Sequence, residues 1–515
     1  MHYPVSLMAI VPMAIGLSLP KQKPDCSTFA RSLPLSDYNA TILNSTYYPS
    51  GSLNNSNTFN RVPFCEVYTS ISYGSKNNTL ISATWLPDRL QYNDRFMAVG
   101  GGGMAGVIDY ANMMTQLNSG MGFAVAGGDS GHRAQDNNGG GGEPGVYLPY
   151  LHDSEQVTAW IHDAISLFTP AAKALTAAYY GQDVSYSFYD GCSTGGAQGV
   201  ALAQYHPGLF DGIVAGCPGN WYSHLALSFL WNAQQTASNA SKLSQAKLNL
   251  TTNAVLDACD LNDGVEDRLL ENPLNCTFEV ATLACNASTT NSSTCLSPPE
   301  FLAAKSIYSG PQNAATQQPL YPGFTLGSEI EWAVQQGELS SAFSVPILQN
   351  LVYDDLTYNA STFNWASDVA DLDVRAGAFI DAIDPDLSAF KDAGGKLLVY
   401  QGWADPFNAA TWPIEHLEHI RQVTGGGKDV SDWLNLFMVP GGGHCGAAAH
   451  YPQVPAKYHS VAKMVKWVER GEKPGEVLST DAPDGSGRTR KLCAWPSTAR
   501  LVGQDEDDWG SYVCE

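Results

Sequence analysis

The chain is poor in positive charge. Its 515 residues include 27 Lys and Arg against 50 Asp and Glu, which gives a formal net charge of −23. Proteins that bind nucleic acid need a basic face for the phosphates, and basic segments likewise hold proteins on anionic membranes. The sequence therefore argues against nucleic acid and against a membrane as partners.

Long apolar runs are also scarce. The one near the start, residues 3–19, contains the small residues Gly16 and Ser18 close to its end. Such a segment is typical of a secretory signal peptide, so we predict a signal over residues 1–19, with a buried first strand as the alternative. No later stretch of the sequence is long and apolar enough to span a bilayer.

Acceptor motifs for N-glycosylation are dense, above all in residues 39–78 and 239–291. A single Asn-x-Ser/Thr motif is common, but this density favours a secreted glycoprotein. The asparagines of these motifs are Asn39, Asn44, Asn54, Asn77, Asn239, Asn249, Asn275, Asn286, Asn291 and Asn359.

The 11 cysteines show no spacing typical of a zinc site. In a secreted protein they are expected to form disulfides. Cysteines that are near in sequence predict the pairs Cys26–Cys65, Cys259–Cys276, Cys285–Cys295 and Cys493–Cys514. Three cysteines are left, Cys192, Cys217 and Cys445, of which Cys217 follows an apolar run and is interpreted as a buried thiol at the end of a strand.

Short apolar runs of strand length alternate with segments of helical periodicity. The runs occupy residues 96–99, 122–126, 184–189, 212–216, 396–400 and 436–439. Strands that alternate with helices form a mostly parallel sheet with helices on both faces, so we predict an α/β fold.

Residues 221–387 interrupt this alternation. They are rich in Asn, Ser and Thr, contain four cysteines and show weaker periodicity, and no internal repeat is evident. We interpret them as a second domain inserted between two strands of the sheet. The first domain then consists of residues 20–220 and 388–515.

A Gly-x-Ser-x-Gly pattern centres on Ser193, between the strand-like run 184–189 and a helix-like run at 197–205. This context is typical of a nucleophile elbow, in which a tight turn exposes the serine hydroxyl. The N-terminus of the following helix then offers N–H groups to a developing oxyanion. The motif by itself also fits a Gly-rich turn with an idle serine.

Two further side chains follow later strands in the order that an elbow requires. Asp405 comes after one strand-like run, and His444 lies on a Gly-rich loop after the next. A serine hydroxyl becomes nucleophilic when a histidine removes its proton and a carboxylate orients that histidine. The order Ser, Asp, His therefore predicts a serine hydrolase. Asp129 and His132 also follow a strand, but the sequence leaves them unassigned.

Cys192 and Cys445 adjoin two of these residues. A disulfide between them would hold Ser193 beside His444, because bonded cysteines have Cα atoms ~5.5 Å apart. It would also be a structural staple that closes a loop of about 250 residues.

The Cys-Ser, Asp and His-Cys elements at Cys192, Ser193, Asp405, His444 and Cys445 resemble those of the tannase and feruloyl esterase family. The resemblance extends over nearly the whole chain. It implies an α/β-hydrolase core with a large lid and a Cys192–Cys445 disulfide. It also implies a secreted serine esterase that releases phenolic acids from plant polymers or tannins.

The insert carries a cluster of acidic residues. Asp260, Asp263 and Asp267 offer oxygen ligands at short spacing, which suits a hard cation such as Ca²⁺. The spacing is not that of an EF-hand, and an acidic surface turn is the alternative. The resemblance implies calcium held by these side chains and by the backbone carbonyls of Val265 and Leu269, with a structural role in the lid.

A run of glycines at residues 100–106 allows two interpretations. It contains Gly-x-Gly-x-x-Gly after a strand, as dinucleotide-binding sites do, but the acidic residue expected about 20 positions later is absent. The better interpretation is an oxyanion loop, with one N–H group from Thr194 and another from near Gly103 or Met104.

Three functions fit the sequence. The first is a feruloyl esterase that acts on hydroxycinnamate esters of plant cell-wall polysaccharides through an acyl-Ser193 intermediate. The second is a tannase that acts on gallate esters, although no dibasic processing segment is visible in the insert. The third is a non-catalytic secreted glycoprotein on a hydrolase scaffold, and the intact Ser, Asp and His set argues against it.

Overall fold

A computed structural model describes residues 25–137, 142–286 and 292–515. The predicted signal peptide, residues 1–19, and the glycosylation motif at Asn291 lie outside these residues. Among the described residues, no helix combines the length and apolarity that a membrane crossing requires.

The described residues form sixteen strands. They are β1 (Ala40–Tyr48), β2 (Asn54–Asn55), β3 (Thr58–Phe59), β4 (Phe64–Tyr73), β5 (Asn78–Pro87), β6 (Arg95–Val99), β7 (Phe123–Gly128), β8 (Tyr186–Cys192), β9 (Gly212–Gly216), β10 (Lys396–Gly402), β11 (Leu434–Val439), β12 (Lys457–Tyr458), β13 (Glu476–Thr480), β14 (Arg490–Cys493), β15 (Ala499–Leu501) and β16 (Tyr512–Cys514).

Nine strands form the main sheet, in the order β1-β4-β5-β7-β6-β8-β9-β10-β11. The pairs from β7 to β11 are parallel, whereas β1, β4, β5 and β7 pair antiparallel. All six predicted runs coincide with parallel strands of this sheet, so the predicted α/β sheet is confirmed. The remaining strands form small sheets: β2 with β3, β12 to β14, and β15 with β16.

Thirteen α-helices lie in the described part of the chain. They are α1 (Cys26–Ser32), α2 (Tyr110–Leu117), α3 (Ser154–Ile161), α4 (Thr169–Tyr180), α5 (Thr194–Tyr205), α6 (Tyr222–Gln235), α7 (Gln245–Cys259), α8 (Pro298–Ser309), α9 (Asp368–Leu372), α10 (Ala378–Ile380), α11 (Ser388–Asp392), α12 (Trp412–Val423) and α13 (Ser460–Arg470). Short 3₁₀ and π turns connect several of them.

Side-chain alternation along the strands creates two apolar cores. In β6, Phe96 and Ala98 face the core that α3, α4, α5 and α12 share. Met97 and Val99 face the opposite core, with α2 and α13. Successive residues of a strand point to opposite faces, so a strand covered on both sides is apolar throughout.

The long connection between β9 and β10 contains α6 to α11. These two strands are neighbours in the sheet, with Ile213 opposite Leu397. The predicted inserted domain, residues 221–387, lies within this connection. Its predicted limits stay a prediction.

Candidate active site

Ser193 occupies the turn between β8 and α5. Its backbone has φ 64° and ψ −121°, a conformation with positive φ that residues other than glycine rarely adopt. Space around the turn is also limited, because a Cβ atom on Gly195 would lie 2.9 Å from the carbonyl oxygen of Gly101. A Cβ atom on Gly196 would overlap the carbonyl oxygen of Gly216. Close packing therefore requires Gly195 of the motif and Gly196 after it, and the turn has the form of a nucleophile elbow.

Asp405 and His444 meet at the ends of neighbouring parallel strands. Asp405 follows β10, His444 follows β11, and Nδ1 of His444 lies 2.9 Å from Oδ2 and 3.0 Å from Oδ1 of Asp405. The carboxylate is fully buried and also accepts hydrogen bonds from the N–H of Phe407 at 2.8 Å and from Nε2 of Gln401 at 2.8 Å. Burial alone would raise the pKa of Asp405, but His444 and the backbone N–H groups of Phe407 and Asn408 outweigh it and lower the pKa. The carboxylate is therefore ionised beside the imidazole.

Nε2 of His444 is buried and has no hydrogen-bond partner among the described residues. The other ring nitrogen faces an ionised carboxylate, so Nδ1 carries the proton and Nε2 carries a free lone pair. Phe407 stacks on the imidazole, with ring centroids 4.4 Å apart and planes at 20°. The imidazole is thus held in the orientation and tautomer that a general base requires.

A disulfide joins Cys192 to Cys445, with their Cα atoms 5.8 Å apart across 253 positions of sequence. One partner precedes Ser193 and the other follows His444, so the bond brings the elbow and the histidine loop together. The four pairs that sequence proximity predicts are also present. Five disulfides are typical of proteins from an oxidising compartment.

Cys217 is a free, buried thiol beside these groups. Its sulfur accepts a hydrogen bond from the backbone N–H of Cys445 at 3.3 Å. It also lies within 4.8 Å of both disulfide sulfurs, of an Asp405 oxygen and of a His444 nitrogen. Burial raises the pKa of the Cys217 thiol, and the charge of Asp405 raises it further, so the group stays protonated. The sequence indicated the burial of Cys217 but not its place against the Asp405–His444 pair.

Residues 100–106, here called the glycine loop, extend from the end of β6 towards the Ser193 turn. Oγ1 of Thr194 donates to the carbonyl oxygen of Gly103 at 2.8 Å. Within the described residues, the N–H groups of Gly103 and Met104 donate to no other group, whereas the N–H of Gly101 donates to Oε1 of Gln198 at 3.0 Å. The loop thus keeps two N–H groups uncommitted next to the first residue of α5.

The acidic cluster of the insert begins where α7 ends. Oδ2 of Asp260 and Oδ1 of Asp267 are buried and have no hydrogen-bond partner among the described residues. Burial raises the pKa of Asp263 to about 6, and the charges of Asp267 and Asp260 contribute to this increase. Unpartnered carboxylate oxygens and mutual repulsion between like charges fit a site that a hard cation completes.

Two arginines approach the same cluster from the C-terminal part of the chain. Arg490 and Arg488 both form ion pairs with Oδ2 of Asp267. Oxygens of the three aspartates do not all lie within 4.8 Å of one another. Cation binding would therefore draw the carboxylates together, with backbone carbonyls supplying further ligands. Sequence reasoning missed both arginines, because they are more than 200 positions away and belong to no motif.

Comparison with known proteins identifies the family. A sequence model of the family described as tannase and feruloyl esterase matches residues 65–514. The chain belongs to this family. Its relatives include a probable feruloyl esterase from Arthroderma benhamiae, 29% identical over 483 residues that cover 88% of this chain and 86% of the relative. Feruloyl esterase B from Aspergillus niger is 29% identical over 476 residues, which cover 88% of this chain and 87% of the relative.

Solved structures agree with this membership in the tannase and feruloyl esterase family. Feruloyl esterase B from Aspergillus oryzae superposes with a TM-score of 0.83 and 25% identity, covering 95% of this chain and 99% of that one. Tannin acyl hydrolase from Aspergillus niger superposes with a TM-score of 0.73 and 21% identity, covering 95% and 94%, and this likeness concerns the fold alone. The α/β-hydrolase fold is confirmed, and the protein is a carboxylic ester hydrolase.

Proposed function

We propose that this esterase is a secreted feruloyl esterase that cleaves hydroxycinnamate esters of plant cell-wall polysaccharides through an acyl-Ser193 intermediate. The observation that carries the proposal is the fixed position of His444, which Asp405 holds through hydrogen bonds of 2.9 and 3.0 Å and the Cys192–Cys445 disulfide ties to the elbow. The names of relatives that match over most of both chains support the choice of hydroxycinnamate.

The proposed reaction starts with His444. Its Nε2 takes the proton of the Ser193 hydroxyl while the serine oxygen attacks the ester carbonyl carbon. Asp405 stabilises the imidazolium that forms and keeps the ring in its tautomer. The N–H of Thr194, together with that of Gly103 or Met104, stabilises the oxyanion. His444 then gives its proton to the leaving alcohol, and a water molecule cleaves the acyl-enzyme by the same steps.

Aromatic side chains contact two parts of the proposed site, the histidine and the glycine loop. Phe407 stacks on His444, and the hydroxyl of Tyr222, at the start of α6 in the insert, lies 3.4 Å from the carbonyl oxygen of Gly103. A flat phenolic acyl group that packs against such side chains would gain both apolar burial and aromatic contact.

Rates on methyl ferulate, methyl caffeate and methyl gallate test the acyl preference. We expect kcat/KM for a hydroxycinnamate to exceed that for gallate by about tenfold or more, because even one methylene group in a binding pocket discriminates by about that factor and these acyl groups differ in both length and ring substituents. A preference for methyl gallate of the same size would instead assign the enzyme as a tannase.

We propose calcium as a structural ion of the insert. Asp260, Asp263 and Asp267 would bind it through their side chains, with the backbone carbonyls of Val265 and Leu269. The unpartnered, buried oxygens of Asp260 and Asp267 support this choice. The Cys259–Cys276 disulfide starts at the last residue of α7 and braces the same segment. When bound, the ion would neutralise the carboxylates and fix this part of the insert, with no part in ester cleavage.

We also propose that the secreted protein carries N-glycans at its acceptor motifs. Of the motif asparagines that the structure describes, Asn249 is partly buried, whereas the others are exposed and open to a glycan. Mass spectrometry before and after enzymatic removal of N-glycans from the protein expressed in a eukaryotic host tests this assignment.

A further inference from the structure

His132 lies behind the glycine loop, on the segment that follows β7. Its side chain is buried, and Nε2 lies 2.8 Å from the carbonyl oxygen of Met104. A carbonyl oxygen only accepts hydrogen bonds, so Nε2 carries the proton and donates it to Met104. Burial lowers the pKa of His132 to about 4, and the ring is therefore neutral in this hydrogen bond.

Tyr150 fixes the ring of His132 and contacts the same methionine. The two rings stack with centroids 3.8 Å apart and planes at 6°. The Tyr150 hydroxyl donates to Sδ of Met104 at 3.2 Å. His132 thus holds the main chain of Met104, and Tyr150 holds its side chain.

The rest of the glycine loop is anchored on both sides of this contact. The N–H of Gly106 donates to the carbonyl oxygen of Asp129 at 3.2 Å, and the carbonyl oxygen of Gly106 accepts from the N–H of Ala134 at 2.9 Å. Gln198, on α5, accepts from the N–H of Gly101 at 3.0 Å and donates to Oγ of Ser130 at 3.1 Å. The segment that carries His132 is therefore hydrogen-bonded to the glycine loop and restrains its conformation.

Between these anchors, the carbonyl oxygen of Gly103 accepts a hydrogen bond from Thr194, and the carbonyl oxygen of Met104 accepts one from His132. Each peptide unit is planar, so holding the Gly103 carbonyl also sets the direction of the Met104 N–H. The hydrogen bond from His132 fixes the next peptide unit and limits rotation of Met104. An N–H group that must meet a developing oxyanion needs such a fixed direction.

We propose that His132 is a positioning residue for ester hydrolysis, which acts by holding the oxyanion loop through its hydrogen bond to the Met104 carbonyl. The proposal rests on the proposed roles of Ser193 and of this loop. It gives a function to a residue that the sequence motif alone left unassigned.

The test replaces the hydrogen bond and keeps the ring. His132→Phe retains a flat ring against Tyr150 but donates nothing, whereas His132→Gln places an amide donor near the position of Nε2. Loss of a complete oxyanion donor lowers kcat by about 10²–10³-fold. For the phenylalanine variant we therefore expect a loss in kcat of about tenfold to 100-fold, with KM changed less than about threefold, and a substantial recovery in the glutamine variant.

Inhibitor binding separates positioning from general damage. A boronic acid that forms a tetrahedral adduct on serine should bind His132→Phe more weakly, by about the factor lost in kcat. The free phenolic acid product should bind both proteins alike.

His416→Phe is the matched control. His416 is equally buried, and burial lowers its pKa to about 4 as well. It stacks on Trp412, with planes at 7°, and its Nδ1 accepts a hydrogen bond from Nδ2 of Asn220 at 3.2 Å. Within the described part of the chain, neither interaction involves the glycine loop. This variant should keep kcat within about threefold of the parent enzyme.

Several results would overturn the proposal. These are a folded His132→Phe with kcat within threefold of the parent, an equal loss in His132→Gln, or an equal loss in His416→Phe. If His132→Phe fails to fold, His132→Asn, which is too short to reach the Met104 carbonyl, replaces it in the same assays. Fluorophosphonate labelling of the parent enzyme shows separately whether Ser193 is the nucleophile, so failure of the proposed function is distinguished from failure of this proposal.

Discussion

Removal of the Cys192–Cys445 disulfide should damage stability and catalysis together. The perturbation is the double variant Cys192→Ala/Cys445→Ala. Single variants are unsuitable, because Cys217 lies within 4.8 Å of both sulfurs and could pair with the cysteine that is left. In the double variant no such partner remains.

The expected magnitude follows from the loop that the disulfide closes. For a sequence separation of 253 residues, the chain-entropy relation gives a loss of about 5.5 kcal/mol in the free energy of unfolding. The same bond sets the distance between the Ser193 turn and the His444 loop. Misplacement of reacting groups by an ångström can reduce the rate by about 10²-fold, so we expect a loss of that order in kcat per folded molecule.

Cys493→Ala/Cys514→Ala is the matched control, since it removes a disulfide at the C-terminal strands β14 and β16. Its separation of 21 residues predicts a smaller loss, about 3.3 kcal/mol, in the free energy of unfolding. Urea unfolding and initial rates on a phenolic methyl ester, with rates corrected for the folded fraction, measure both effects. The reasoning is refuted if the Cys192/Cys445 variant keeps its kcat per folded molecule, or if the control loses kcat to the same extent.

Three further predictions concern two buried carboxylates and the proposed calcium site. Asp405→Asn should lower kcat by about 10³–10⁴-fold with little change in melting temperature, because an amide no longer selects the tautomer of His444 that is protonated on Nδ1. Steady-state kinetics and calorimetry measure these two effects. A loss in kcat of less than about tenfold would contradict the prediction. Burial raises the pKa of Asp190 to about 6, so between pH ~4 and 6 the folded state binds more protons than the unfolded state and stability falls as pH rises. Urea unfolding at pH 4.5 and 7 should therefore show that Asp190→Asn, which cannot titrate, loses less stability over this interval than the parent; an equal loss would refute the prediction. Chelation by EGTA should lower the melting temperature more than it lowers turnover at 25 °C, with restoration by Ca²⁺ but not by Mg²⁺; an unchanged melting temperature would count against the calcium site.

The sequence predicts the core of the fold because parallel strands buried on both faces are apolar throughout. Their runs are visible without any partner, and loops after parallel strands converge at one edge of the sheet. This is why the sequence alone predicts that Asp405 and His444, which follow neighbouring strands, lie close together. The sequence does not show that the contact runs from Nδ1 of His444 to the carboxylate of Asp405; only the structure does.

The antiparallel side of the sheet was not predicted. Strand β1 lies at the edge of the sheet, and Ala40 is its only buried residue, so no apolar run marks it. In strands β4 and β5, apolar and polar residues alternate only in part. Polar residues such as Thr69 and Ser82 are buried between the strands, where their hydroxyl groups form a hydrogen bond of 2.6 Å. A buried pair of this kind breaks the alternation on which sequence reasoning depends.

The supports of the candidate site were also beyond sequence reasoning. Gln198 and Cys217 are ordinary in sequence, and neither belongs to a spacing pattern with a known chemistry. Their partners lie on other loops, so their roles arise from the packing of distant segments. Sequence motifs identify the residues that react, whereas the residues that position them can be identified only from contacts in the structure.

The central claim is that Ser193 is a nucleophile activated by His444. A fluorophosphonate probe, followed by peptide mass spectrometry, tests it most directly. The account predicts one adduct, on Ser193, that is absent in a folded Ser193→Ala variant and forms at least about 10²-fold more slowly in His444→Ala. An active, folded enzyme that carries no adduct on Ser193, or carries it on another serine, would contradict the account.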